Sequence, residues 1–175
     1  MSSDVRIAVS GKSGCGNTTV SRILAERLGI RLINYTFHDM AKERGITFEQ
    51  LCLLAETDSQ YDRHLDRRQV ELAMDGSCVL ASRLAIWLLE QADLKVYLHA
   101  SAEVRGKRIA QREGIPWRRS VIDIEARDSR DRNRYLKLYD IDIDEYGFAD
   151  LIVDTELGDQ YYVVEKIIDF FEKRP

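Results

Sequence analysis

Residues Gly11 to Thr19 read GKSGCGNTT: two glycines spaced as G-x-x-x-x-G, with a hydroxyl residue, Thr18, two positions further on. Residues of these types at this spacing bind phosphate. Glycines let successive backbone N–H groups wrap an anion, and a helix starting there adds its positive end. Gly11, Lys12, Ser13, Gly14, Cys15, Gly16, Asn17, Thr18 and Thr19 are therefore the candidate ATP-binding loop, with Thr18 placed to hold Mg²⁺. The lysine that usually precedes that hydroxyl is missing, and Asn17 occupies its position. Such a lysine contacts the β- and γ-phosphates as a point charge, so its loss must be offset elsewhere. Lys12, inside the same loop, is the candidate replacement. The glycines at 11, 14 and 16 do not fit the dinucleotide fingerprint G-x-G-x-x-G, which argues against an oxidoreductase.

Two arginine stripes lie downstream. Arg105, Arg108 and Arg112 fall at i, i+3, i+7; Arg127, Asp131 and Arg134 fall at i, i+4, i+7, with Arg130 beside them. Each set shares one face of a helix. Solvated helix surfaces carry similar stripes, often as i,i+4 ion pairs such as Arg127 to Asp131. Here, however, the stripes flank a breaker-rich "EGIP" and follow a phosphate loop, which suits a lid that brings positive charge over a transferring phosphoryl group.

These residues need a scaffold, and alternating apolar runs supply one. "VRIAVS" before the loop reads as a strand buried on both faces, and Val20, Ile23, Leu24 and Leu28 after it as a helix stopped by Gly29. Further strands are expected at Arg31 to Tyr35, Ser77 to Ser82, Leu94 to Ala100 and Asp150 to Thr155. Helices are expected at Phe37 to Arg44, from Thr47 (a capping box with Gln50), over Ser59 to Met74, through "RLAIWLLEQ", across the basic segment, and at "YYVVEKIIDFFEK". Strands alternating with helices imply a three-layer α/β fold with a parallel sheet covered on both faces. Ile115 to Ser120 is the best candidate for a mobile loop.

The 175 residues suffice for one domain, residues 1–175. With Lys+Arg 26 against Asp+Glu 30, the net charge is −4, so no global basic field exists to drive nucleic-acid binding. Three scattered cysteines suggest neither a disulfide framework nor a zinc site, and no apolar run is long enough to span a bilayer. A cytoplasmic protein is expected, with no nucleic-acid or membrane partner. His38, His64 and His99 are isolated, and His99, on a strand, reads as a packed or rim residue rather than a metal ligand.

"RDSRDRNR", "DRRQVELAMDG…VL" followed by Arg83, "ADLKVYLHA", "EVRGKRIAQREG", "RYLKLYDIDI" and "ADLIVDT" occur in the order found in short, archaeal-type cytidylate kinases, which the chain resembles along most of its length. The resemblance implies a P-loop nucleoside monophosphate kinase fold: a central five-stranded parallel sheet, an NMP-binding helical segment at about 35–75 and a lid at about 112–125. The implied reaction moves the γ-phosphoryl group of ATP to CMP or dCMP with Mg²⁺. Carried over by position, Arg83 contacts the acceptor and Arg127 its phosphate. Asp131 and Arg134 recognise cytosine or hold phosphate, and Arg105 is a lid-side phosphate contact. Lys12, Arg105 and Arg127 are the expected catalytic residues. His38 stands where the family carries an arginine for the acceptor phosphate, so it is expected to bind the acceptor nucleotide through a weaker, pH-dependent contact, and Ala81 stands where the family carries an acidic residue near the metal. Because phosphoryl transfer depends on charge and positioning, two other readings stay open: a catalytically weakened, nucleotide-binding regulatory protein, or a kinase for another small acceptor.

Overall fold

A computed structural model describes residues 4–174. Five strands, β1 (Arg6–Gly11), β2 (Arg31–Ile33), β3 (Cys78–Ala81), β4 (Leu94–His99) and β5 (Leu151–Asp154), form one sheet in the order β2-β3-β1-β4-β5. Every pairing is parallel, with Val9 opposite Ala81 on one side and Val96 on the other. The expected parallel sheet is therefore present.

Alternation along the strands splits the core into two layers. Ile7, Val9, Val79, Val96, Leu98 and Val153 face α1 (Asn17–Leu28) and α8 (Gln160–Glu172). Ala8, Ile33, Cys78, Leu80 and Tyr97 face the other way, towards Ala73 of α4 (Gln60–Met74) and Ala85, Ile86 and Leu89 in and after α5 (Ala85–Leu88). The expected helix through "RLAIWLLEQ" is thus a single turn, because Leu84, Ile86 and Leu89 are all drawn into the core and Glu90 begins the approach to β4. A separate small core of Tyr35, Met40, Ala41 and Leu51 holds α2 (Phe37–Arg44) and α3 (Phe48–Thr57) beside α4.

The basic segment folds as a helical hairpin. α6 (Ala102–Glu113) ends at Gly114, and α7 (Trp117–Tyr139) runs for 23 residues. Gly106 permits their close approach, since a Cβ there would sit 2.5 Å from Val121 Cγ2. The break is confined to Gly114–Pro116. Residues 117–120 of the expected loop are helical because Pro116 precedes a first turn that packs Ser120 against α6.

Candidate active site

The C-terminal ends of β1, β2 and β3 open into a cleft of about 320 Å³, at the edge of the sheet where ligands of open α/β folds bind. Its floor is the loop Gly11–Thr19. Gly14 has φ +83° and lies so close to Arg105 that a Cβ would meet the Arg105 carbonyl oxygen at 2.8 Å. Gly16 (φ 86°) opens α1 with no side-chain cap, whereas α2, α3, α6 and α8 are capped by Thr36, Thr47, Ser101 and Asp159. The first-turn N–H groups of α1 are thereby left for an anion. Lys12, Arg83, Arg112 and Arg127 line the cleft, and no carboxylate does among the described residues. That one-signed lining is an electrostatic site for phosphates.

The cations are held differently. Arg83 donates to Ser13 Oγ and pairs with Asp131 Oδ2. Arg127 is exposed and makes one hydrogen bond among the described residues, 3.4 Å to Ser13 Oγ. Lys12 turns to the rim, where Nζ meets Asp144 Oδ1 at 2.5 Å; Arg132 bridges Asp144 and Asp142 behind it. Asn17, in place of the usual lysine, accepts from Ser21 Oγ at 3.3 Å within α1. Arg105 lies beneath the loop rather than in the cleft. It is 4% exposed, and its guanidinium donates to Ala100 O, Ser13 O and Asp128 Oδ2 at 3.1, 3.1 and 2.7 Å. Cys15 is buried beside it, which pushes its thiol up and away from reactivity.

A second cavity of about 340 Å³ adjoins the loop on its other side, and Arg112 lines both. Arg108 frames it, donating to Gly14 O, Thr155 Oγ1 and Thr155 O at 3.2, 2.9 and 2.7 Å. Ile109, Gly158, Gln160 and Val163 complete a slot with apolar walls and a polar edge. Arg108 and the Thr155–Gln160 turn are not distinguished by sequence reasoning. The available signal is the stripe Arg105–Arg108–Arg112 itself, whose 3.6-residue period places Arg105 below the loop, Arg108 beside it and Arg112 over it.

A third cavity, about 650 Å³, lies between α3, α4 and α7 and is lined by Asp62, Arg130, Asp131 and Arg134 together with Phe37 and Ser59. Asp131 joins it to the cleft: one oxygen faces Arg83, and the other lies 3.3 Å from Arg134. His38 is not gathered with these arginines; its exposed ring stacks on Phe48 at 3.8 Å. Asp39, the nearest carboxylate on α2, is committed to the capping box with Thr36. His99 lies at the end of β4, where Tyr146 Oη is 3.3 Å from Nδ1. Trp117, at the start of α7, is flanked by Lys107 and Arg118 at 4.9 and 5.1 Å from its ring.

Between α4 and the end of α7 Tyr139 donates to Asp66 Oδ2 at 2.6 Å, and burial pushes the Asp66 carboxyl up to about 6. Because the folded state holds this proton more tightly than the unfolded chain, Asp66 favours folding below pH 4. That contribution is lost as pH rises through about 6. Asp66→Asn is therefore expected to melt progressively higher than the parent protein as pH rises from 4 to 6.5. A pH-independent difference in thermal denaturation would contradict this.

A family model described as the cytidylate kinase-like family matches residues 6–157. The chain belongs to that family. It is 46% identical over 174 residues to a cytidylate kinase 2 from Borreliella afzelii, covering 97% of this chain and 98% of that one. It is 44% identical over 151 residues to a cytidylate kinase from Pyrococcus furiosus, covering 85% of this chain and 79% of that one. Among solved structures, a shikimate kinase from Bacteroides thetaiotaomicron superposes with a TM-score of 0.66 at 16% identity, covering 96% and 98% of the two chains. A deoxyadenosine kinase from M. mycoides superposes with a TM-score of 0.61 at 15% identity, covering 97% and 100%. These two share the fold, a P-loop kinase sheet with covering helices. By family and fold the chain is a nucleoside monophosphate kinase. Among its described residues, no helix is long and apolar enough to cross a membrane.

Proposed function

We propose that this chain transfers the γ-phosphoryl group of ATP to CMP or dCMP, giving CDP or dCDP. The observation that carries the reading is the cleft lined by Lys12, Arg83, Arg112 and Arg127 without a carboxylate, with a base-sized cavity on each side. The triphosphate lies on the Gly11–Thr19 amides with adenine in the slot beside Arg108. The monophosphate lies in the cavity against α7 with its phosphate towards Arg83 and Arg127. The acceptor's phosphate oxygen is the nucleophile, so no side chain need form a covalent bond. The arginines orient the two anions in line and stabilise the charge spread over the transferring group.

Mg²⁺ fits this site through Thr18, whose hydroxyl lines the cleft. Such ions keep several waters and need only one or two protein ligands beside the phosphates. When bound, Mg²⁺ neutralises charge on the donor phosphates. Ala81 and the capped Asp39 leave Thr18 as the protein's contribution. Residues 35–75 act as the NMP-binding segment and residues 112–125, at the junction of α6 and α7, as the lid. Arg105 acts as a positioning residue beneath the loop, and His38 stands outside the acceptor phosphate site.

ADP release should be followed with ATP against CMP, dCMP, UMP, AMP and GMP, alongside calorimetric binding. CMP and dCMP are expected to turn over fastest. Nucleotide binding without turnover on any acceptor would overturn the reading in favour of a regulatory protein. Preference for UMP or a non-nucleotide acceptor would reassign the substrate.

Lys12 supplies the charge that Asn17 lacks by leaving Asp144 for the donor phosphates. A charge-assisted hydrogen bond contributes about 1.5–3 kcal/mol. Lys12→Ala is therefore expected to lower kcat/KM for ATP by about 10- to 100-fold. Unchanged kinetics would assign the substitution to Arg112 and Arg127 instead.

A further inference from the structure

Directly after α7 the chain alternates apolar and acidic residues: Ile141, Asp142, Ile143, Asp144. Ile143 is buried against Leu84 and Tyr135 with Ile141 packed beside it, which pins the turn to the core and leaves the carboxylates on its outer side. Arg132 of α7 fixes them further. It holds Asp142 through two hydrogen bonds and lies 3.4 Å from Asp144 Oδ2, while the Asp144 amide donates to Asp142 Oδ1 at 3.0 Å. These donors, Arg132 foremost, hold the Asp142 carboxyl down at about 2. Asp144 is therefore a carboxylate set in place by its surroundings, and its remaining oxygen is the one that meets Lys12 Nζ. Lys12 itself stands between two spaces. One is the phosphate cleft; the other is a cavity of about 310 Å³ that it shares with Asp144, His99 and Tyr146. Among the described residues only Lys12 lines both.

We propose that Lys12 is a two-position side chain and that Asp144 is its positioning residue, holding the ammonium at the rim until a nucleoside triphosphate competes for it; this rests on the reading of Lys12 as the stand-in for the missing loop lysine. The physical basis is an exchange of partners. In an empty cleft, Lys12 would join Arg83, Arg112 and Arg127 with no carboxylate among the lining residues to separate them. Like charges gathered in this way repel, so the ammonium is better placed beside Asp144. A bound triphosphate reverses the balance, because it brings more negative charge than one carboxylate. Lysine suits the exchange, since its flexible four-carbon stem lets the charge move while the loop stays still. The exchange has a cost, because each ATP that binds must break the pair with Asp144. A partly exposed ion pair shifts such an equilibrium by up to about fivefold. Asp144 thereby sets the affinity for ATP below what the cleft alone would give.

The test is calorimetric binding of ATP with Mg²⁺, without acceptor, to the full chain and to its Asp144→Asn, Lys12→Ala and doubly substituted variants, with melting temperatures measured alongside. Asp144→Asn is expected to tighten ATP binding by about 2- to 5-fold, and KM for ATP is expected to fall in parallel. In the Lys12→Ala background the same change is expected to tighten binding by less, because no lysine is there to be released. If Asp144→Asn does not fold, Asp144→Ser takes its place with the same expectation, since either change removes the charge. Unchanged ATP affinity in the folded Asp144 variant overturns the proposal. So does equal or greater tightening in the Lys12→Ala background, which would make Asp144 only a repulsive charge near the cleft. An ATP affinity untouched by Lys12→Ala alone would instead overturn the reading on which the proposal rests.

Discussion

Arg127→Ala is expected to lower kcat by about three orders of magnitude while leaving the melting temperature of the free protein almost unchanged. Its guanidinium is exposed and makes one 3.4 Å hydrogen bond, to Ser13 Oγ, so little folding energy depends on it. In the reaction its position is different. It stands at the cleft face of α7, across from the loop, where the proposed reaction builds charge on the transferring phosphoryl group. An arginine in that role accelerates phosphoryl transfer by about 10³–10⁵. Arg127→Lys should recover only part of the rate, because an ammonium cannot present the bidentate fork. Steady-state kinetics with saturating ATP and CMP, paired with thermal denaturation, separate the cases. A modest rise in KM at constant kcat would show that Arg127 only attracts substrate.

Arg105→Ala is expected to do the opposite, with its largest effect on stability. Arg105 is 5% exposed at its side chain and pairs at 2.7 Å with Asp128, itself 13% exposed. Asp128 Oδ1 already has no hydrogen-bond partner among the described residues, so removing the arginine leaves a desolvated carboxylate without its compensating charge. Breaking such a buried pair costs about 3–5 kcal/mol. In a domain of this size that is a fall in Tm of roughly 10 °C. Replacing both partners, Arg105→Met with Asp128→Leu, should recover much of the loss. The Ser13 carbonyl also loses its donor, so KM for ATP should rise in the single variant. A single variant that melted with the parent protein would mean that water satisfies Asp128.

The contrast between these arginines marks where the sequence is legible. The phosphate loop, the sheet and most helices follow from apolar alternation and glycine placement, because those patterns reflect burial directly. The direction of an arginine on a helix does not. Arg105 and Arg112 share a stripe with Arg108, yet one is buried under the loop and another lines the cleft. The Gly14 backbone packs directly on Arg105 in the first turn of α6, whereas Arg112 lies two turns further along at the cleft. α7 escaped recognition as one element because charged residues dominate it and few apolar positions mark its period; packing against α6 holds it. Asp62 reads as a charged surface residue until α3 and α7 are seen to cover it.

α7 also acts as a ruler. At 1.5 Å per residue, the seven positions from Arg127 to Arg134 span about 10 Å along one rigid axis. Arg127 lines the phosphate-loop cleft and Arg134 the cavity against α3 and α4, with Asp131 between them. On the proposed reading an acceptor would therefore be judged by length as well as by its edge. On the proposed reading a sugar phosphate without a base would engage only one end of the rod, gaining the anion contact without the base contact. Water, shorter still, engages neither. On the proposed reading the spacing would therefore favour a nucleoside monophosphate over water as acceptor.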